Sequence, residues 1–60
     1  MTVEIDYRCY PDETKYRWQA FSYINNYCYG QWAETKEEAR QKLIDEIRAD
    51  FPGLQETVEI

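Results

Sequence analysis

The strongest structural signal in this chain is a helix within residues 33–53, which read AETKEEARQKLIDEIRADFPG. Thr35 and Glu38 form a capping box, in which a hydroxyl and a carboxylate three residues apart satisfy free N–H groups at a helix start. A Pro-Gly pair stops the pattern. The sequence therefore predicts one amphipathic helix over residues 35–50. Its apolar residues recur at helical spacing and form one stripe, namely Ala39, Leu43, Ile44, Ile47 and Phe51.

Upstream of the helix, polarity alternates with a period of two, which is typical of half-buried strands. Proline presets the backbone for the first predicted turn, and asparagine tolerates the left-handed conformation that a tight hairpin turn requires. The predicted segments are, in order, a strand at 2–10, a turn at 11–14, a strand at 15–24, an Asn-Asn turn at 25–26 and a strand at 27–33.

The same alternation returns over a short segment near the end of the chain, residues 57–60. A crossover through the helix would place this segment beside the first strand. No linker rich in Gly, Ser or Pro divides the chain, so residues 1–60 are interpreted as a single small domain. The expected fold is α+β, with a three-stranded antiparallel meander, one helix packed on one face and a short C-terminal strand, in the order βββαβ.

The strand period divides the predicted sheet into two faces. If Ile24 lies opposite Tyr27 and the first turn holds four residues, the smaller and aliphatic side chains share the face beneath the helix. A change of one residue in that turn would reverse the first strand. The predicted core face comprises Val3, Ile5, Tyr7, Cys9, Tyr16, Trp18, Ala20, Ser22, Ile24, Tyr27, Tyr29, Gln31 and Ala33.

The opposite face, called the open face below, has no predicted element to cover it. It collects large aromatic and basic side chains, and such a cluster is a candidate association surface. The plainer alternative is that these are single exposed aromatics, which are common on protein surfaces. The partner-binding interpretation selects Arg8, Tyr10, Arg17, Phe21, Tyr23 and Trp32.

Size and composition exclude most catalytic classes. A chain of 60 residues buries one modest core and has no room for a deep cleft. Because it has no histidine, it lacks the commonest general base and metal ligand, so neither catalysis nor a cofactor or metal is expected. Cys9 is predicted to be buried and Cys28 to lie on the open face, which keeps them from chelating a metal together. Gly30 is interpreted as a close approach or a bulge in the third strand.

Charge leaves two alternatives to simple protein binding. Single-stranded bases could stack on the exposed aromatic rings, but 12 acidic against 7 basic residues give a net charge of −5, which repels a polyanion. The second alternative is a small acidic inhibitor of the phage type, in which the helix imitates nucleic acid. The side chains for that contact would be Glu37, Gln41, Asp45 and Glu46.

The expected location is the cytosol, without membrane association. No run approaches the roughly 18 apolar residues that a membrane span needs. The first six residues alternate as a strand does, which differs from the pattern of a signal peptide.

The segment AETKEEA, residues 33–39, resembles the strand-to-helix entry of the HicB-like antitoxin domains, where a small and an acidic residue precede Thr-x-x-Glu-Ala. Those domains share a three-strand, helix, strand order. The resemblance implies a noncatalytic module that occludes a partner protein, and it transfers no catalytic residue. The function expected from the sequence is a noncatalytic protein-binding module or inhibitor. Homodimerisation through the open face would be another use of that surface.

Overall fold

The computed structural model describes residues 2–13, 15–54 and 56–59, and it shows an α+β fold. Adjacent strands run antiparallel from β1 to β3, and β4 runs parallel to β1 in the sheet order β3-β2-β1-β4. The predicted antiparallel meander with a single helix is confirmed. The elements are β1 (Thr2–Cys9), β2 (Trp18–Ile24), β3 (Tyr27–Ala33), α1 (Lys36–Asp50) and β4 (Glu56–Glu59).

The hairpin between β2 and β3 has the predicted turn. Asn25 and Asn26 have φ angles of 52° and 66°. Two consecutive left-handed residues define the turn type that matches the twist of a tight hairpin, and asparagine adopts this conformation at low cost. Ile24 consequently lies opposite Tyr27, as the sequence predicts.

The first turn is longer than predicted. The second strand begins at Trp18 rather than at residue 15, because the Tyr10 N–H donates to the Arg17 carbonyl at 2.6 Å and closes the loop between these two residues. Within that loop, the Glu13 N–H donates to the Tyr10 carbonyl at 3.0 Å, which closes a tight turn at Pro11. The register therefore shifts by two residues, which leaves every β1 side chain on its predicted face.

The helix begins and ends as its sequence indicates. The Thr35 Oγ1 accepts a hydrogen bond from the Glu38 N–H at 3.1 Å, and the Phe51 N–H donates to the Ile47 carbonyl at 2.7 Å. Its apolar stripe packs on the predicted core face, where Phe51 is half-buried against the core and the other members are buried. The buried hydrophobic core consists of Val3, Ile5, Ala20, Tyr29, Ala33, Ala39, Leu43, Ile44, Ile47 and Leu54.

Three residues predicted for the core face are exposed, namely Cys9, Tyr16 and Tyr27. Cys9 and Tyr27 lie at the ends of their strands, and Tyr16 lies in the first loop, before β2 begins. The helix starts at Lys36, whose Nζ lies 4.6 Å from the Tyr7 ring centroid, so Cys9 is past the helix end. The prediction that Cys9 is a buried hydrophobe is therefore wrong.

Ser22 is the buried polar side chain of the core face. Its Oγ donates to the Glu4 carbonyl at 2.6 Å and so satisfies its hydroxyl inside an apolar environment. Among the described residues, no helix is long and apolar enough to cross a membrane.

Candidate functional site

The open face lies opposite α1 and is built by alternate residues of β1, β2 and β3. The ladder aligns Asp6, Phe21 and Gly30 in one row across the three strands. The next row contains Arg8, Gln19 and Trp32. Because side chains on one face repeat every second residue, these two rows are immediate neighbours.

Phe21 is at the centre of this face, and two side chains contact its ring. The Arg8 guanidinium carbon lies 5.6 Å from the ring centroid, within cation–π range. The Tyr23 ring meets it edge-on at a centroid distance of 6.3 Å and an interplanar angle of 88°. Phe21 is thereby half-buried, while Tyr23 is 73% exposed.

A second ring pair lies beside this cluster. Tyr10, just past the end of β1, reaches across to Trp32 on β3 with a centroid distance of 5.0 Å. The Tyr10 hydroxyl also accepts from Arg8, and this hydrogen bond is the main reason that the pKa of the Arg8 guanidinium is raised. Arg8 thus joins the two ring pairs. The result is a continuous band, here called the aromatic strip, made of Tyr23, Phe21, Arg8, Tyr10 and Trp32.

Arg17, the remaining residue predicted for this surface, makes its hydrogen bond in the first turn instead of on the open face. Its Nη2 donates to the Glu13 carbonyl at 3.4 Å, inside the first turn. The lengthened turn explains the difference, since Arg17 closes the loop and precedes the first residue of β2. The structure brings the other five predicted residues together and leaves Arg17 beside them.

Three of the four helix residues predicted for an acidic contact, Glu37, Gln41 and Asp45, are exposed at successive i, i+4 positions of one helix face. Glu37 is exposed in the first turn, and the Gln41 Nε2 donates to the Asp45 Oδ1 at 3.0 Å on the exposed surface. Glu46 faces the sheet instead. Its negative charge contributes to the raised pKa of Tyr29, and its Oε1 is buried without a hydrogen-bond partner among the described residues.

Tyr29 connects the C-terminal end of α1 to β3 through a hydrogen bond. Its hydroxyl donates to the Asp50 Oδ2 at 2.7 Å, and that hydrogen bond, followed by burial, raises its pKa to about 12. Tyr29 therefore stays protonated near neutral pH. The contact is structural, because it fixes α1 over β3 and offers no proton at a cleft.

The largest of the three cavities described here lies beside β3, outside the open face, and is called the edge groove below. It has a volume of about 490 Å³ and is lined by Glu13, Tyr16, Gln31, Trp32 and Lys42. Two depressions on the open face, beside Phe21 and Tyr23, have volumes of only about 130 and 180 Å³. The volumes of these two depressions are below those of ordinary small-molecule sites. Among the described residues, no His, Cys, Asp or Glu cluster is arranged to hold a metal ion.

Of the residues lining the edge groove, sequence reasoning selected only Trp32 for a binding surface and missed Glu13, Tyr16, Gln31 and Lys42. Tyr16 is 48% exposed, and its ring is 5.4 Å from the Lys15 Nζ and 6.0 Å from the Lys42 Nζ. The first turn, which was predicted too short, placed Tyr16 in the core. The helical position of Lys42, one turn after Glu38, indicates only an exposed ion pair, which is present at 3.7 Å.

Comparisons with protein-family models, with curated proteins and with solved structures found no match to this chain. The resemblance to the HicB-like antitoxin domains therefore rests on the residues of this chain alone and stays a hypothesis.

Proposed function

We propose that this chain is a noncatalytic protein-binding module that occludes a partner through its open sheet face. The observation that carries the proposal is the aromatic strip, in which four rings and one guanidinium form a continuous surface on three strands. Aromatic residues and arginine are the side chains that dominate binding energy at protein interfaces. The strip therefore has the composition of an interface centre.

The strip is also held in place before any partner arrives. Its members stand on hydrogen-bonded strands, and each contacts another member at ring or cation–π distance. Preorganised side chains lose little conformational entropy on binding. The exposed fractions, 73% for Tyr23 and 41% for Trp32, leave apolar area for a partner to cover. A second copy of the chain using the same face is the homodimeric form of this proposal.

Nucleic-acid binding has less support from the geometry. Arg8 is engaged by Phe21 and Tyr10, and Lys15 lies over Tyr16 instead of on the open face. Few cations remain free for phosphates, which supply most of the affinity in such complexes. The acidic-mimic alternative depends on the helix, where Gln41 and Asp45 bond to each other.

The proposal also includes the complete βββαβ fold and the resemblance to the HicB-like antitoxin domains. A βββαβ domain with β4 beside β1 leaves β3 and β4 as the two outer strands of the sheet. The HicB-like hypothesis would make the partner a toxin-like protein, and the cytosol remains the proposed location.

The proposal is tested by capturing partners from an extract of the native cells. The wild-type chain is compared with a Tyr23→Ala, Trp32→Ala double variant, and with Tyr27→Ala as the control. Tyr27 is 61% exposed but lies outside the strip. We expect the double variant to lose the partner and the control to retain it. Retention by the double variant would show that the open face is not the contact surface. Sedimentation of each variant in the absence of a partner shows whether the chain forms a homodimer through the open face.

A further inference from the structure

The β3 strand is an outer strand of the sheet, so within the described part of the chain no strand lies on one side of its backbone. Ile24 and Tyr27 flank the two-residue turn and form a hydrogen-bonded pair, and such pairs alternate along an antiparallel ladder. The backbone groups of Cys28, Gly30 and Trp32 therefore point away from β2. The Trp32 carbonyl confirms this direction, because it accepts from the Lys42 Nζ at 3.3 Å on the outer side.

The helix side of this edge is rich in carboxylates. Asp50 accepts from the Tyr29 hydroxyl, and Glu46 raises the pKa of the same residue, whereas the charge of Glu38 is offset by Lys42 at 3.7 Å. Glu46 Oε1 is buried and accepts no hydrogen bond from the described residues. A buried carboxylate oxygen without a donor is costly, and a cation or N–H brought to the edge would satisfy it.

The other side of the edge presents the Trp32 ring, which is 41% exposed on the open face. The edge groove of about 490 Å³ lies beside that ring, and its lining is mixed, with Tyr16 and Trp32 next to Glu13, Gln31 and Lys42. A strand laid along β3 would point alternate side chains to the two sides. Every second side chain would meet carboxylates, and the side chains between them would meet the Trp32 ring.

We propose that the β3 edge binds an extended basic segment of a partner protein by strand addition. The backbone of that segment would bond to Cys28 and Gly30. Its basic side chains would face Glu46 and Asp50, and its apolar side chains would cover Trp32. The inference rests on the proposed function, because it assumes a protein partner, and it adds the site and the chemical class of the segment.

A second copy of the chain fits this edge poorly. Antiparallel pairing of two β3 strands has its two-fold axis perpendicular to the sheet, so both helices would lie on the same face. The carboxylates beside one edge would then face those of the other, between two chains that each carry a net charge of −5. Lys42 of α1 also covers the Trp32 carbonyl, which leaves the outward groups of Cys28 and Gly30 for an added strand.

The test uses labelled, end-capped peptides of about seven residues, the length of an ordinary strand. One peptide alternates lysine with valine and the other alternates glutamate with valine. Fluorescence anisotropy is measured for the wild type, for Cys28→Pro and for Cys28→Ala. Proline removes one outward N–H without breaking a bond to β2, and alanine retains that N–H. We expect the lysine peptide to bind, the proline variant to lose about tenfold or more in affinity, and the alanine variant to change by less than about twofold.

Two further measurements use the same peptides. Amide hydrogen exchange at Cys28 and Gly30 in the wild type should slow by about tenfold or more when the lysine peptide is added, so the proposal remains testable if the proline variant does not fold. Glu46→Gln, or about 0.5 M salt, should weaken binding by about threefold or more.

Equal binding of the two peptides, unchanged binding by Cys28→Pro, or unprotected amides at the edge would overturn the proposal. A dimer of the wild type that Cys28→Pro dissociates would assign the edge to a second copy and would also overturn it. Tyr23→Ala alone separates the two proposals, because Tyr23 belongs only to the aromatic strip, whereas Trp32 belongs to both the strip and the edge. If native partners are still captured through the strip while the peptide fails to bind, the edge proposal alone is wrong.

Discussion

Replacing Leu43 and Tyr23 by alanine, one at a time, tests the two-sided architecture directly. Leu43 is fully buried beneath the sheet, and Tyr23 is 73% exposed on the open face. Leu43→Ala removes three carbon atoms at about 0.8 kcal/mol each, and the cavity left behind raises the loss to about 3 kcal/mol. Tyr23→Ala loses mainly its edge-on contact with Phe21, which contributes about 0.5 kcal/mol.

These losses are large relative to the stability of so short a chain. At about 0.1 kcal/mol per residue, the free energy of unfolding is on the order of 6 kcal/mol. Leu43→Ala would remove about half of it and lower Tm by about 12–24 °C, while Tyr23→Ala would lower Tm by about 2–4 °C. Urea and thermal unfolding followed by circular dichroism measure both changes.

The reasoning fails if Tyr23→Ala is as destabilising as Leu43→Ala, because the open face would then be part of the core. It also fails if Leu43→Ala costs less than about 1 kcal/mol, because a fully buried leucine cannot be truncated so cheaply in a packed interior. Ile47→Ala, another fully buried helix position, serves as the internal control and should resemble Leu43→Ala.

Three smaller changes are also measurable. The Asp50 hydrogen bond raises the pKa of Tyr29 to about 12 from an ordinary 10.0, so its contribution to stability is complete below pH 10 and is lost as the pH rises towards 12. Asp50→Asn should return that pKa towards its ordinary value in a tyrosinate absorbance titration, with Tyr29→Phe identifying the signal. Thr35→Ala removes the helix cap and should lower the free energy of unfolding in urea by about 1 kcal/mol, whereas Thr35→Ser should change it little. Asn26→Gly, at a φ of 66°, should raise the unfolding midpoint slightly, and a lower midpoint would contradict the turn assignment.

The division into two faces could be predicted because it depends only on the parity of the strand register. The sequence placed four residues in the first turn, whereas Tyr10 and Arg17 close a loop of six. Two extra residues shift the ladder but keep its parity, so Ile5 stays buried and Phe21 stays on the open face. The five residues of the aromatic strip were therefore identified before their contacts were known.

Features that depend on tertiary geometry could not be predicted. Cys9 is exposed because α1 does not extend over it. No local sequence pattern indicates how far a helix extends over a sheet. The interpretation of Gly30 as a bulge or a close approach is wrong, because it pairs directly with Phe21 and an added Cβ would meet the Phe21 Cβ at an ordinary 3.8 Å. The position of β3 as an outer strand follows from the order of the strands, which the sequence pattern does not contain.

The two tryptophans of the chain are separated by the sheet itself. Trp18 packs against the buried core, and Trp32 emerges on the reverse side with 41% of its surface accessible. Intrinsic fluorescence therefore contains two independent reporters, since acrylamide should quench the emission of Trp32 well before that of Trp18. A ligand bound over the aromatic strip would protect Trp32 from the quencher and leave Trp18 unchanged, whereas unfolding would expose both. Tryptophan quenching therefore distinguishes ligand binding from denaturation.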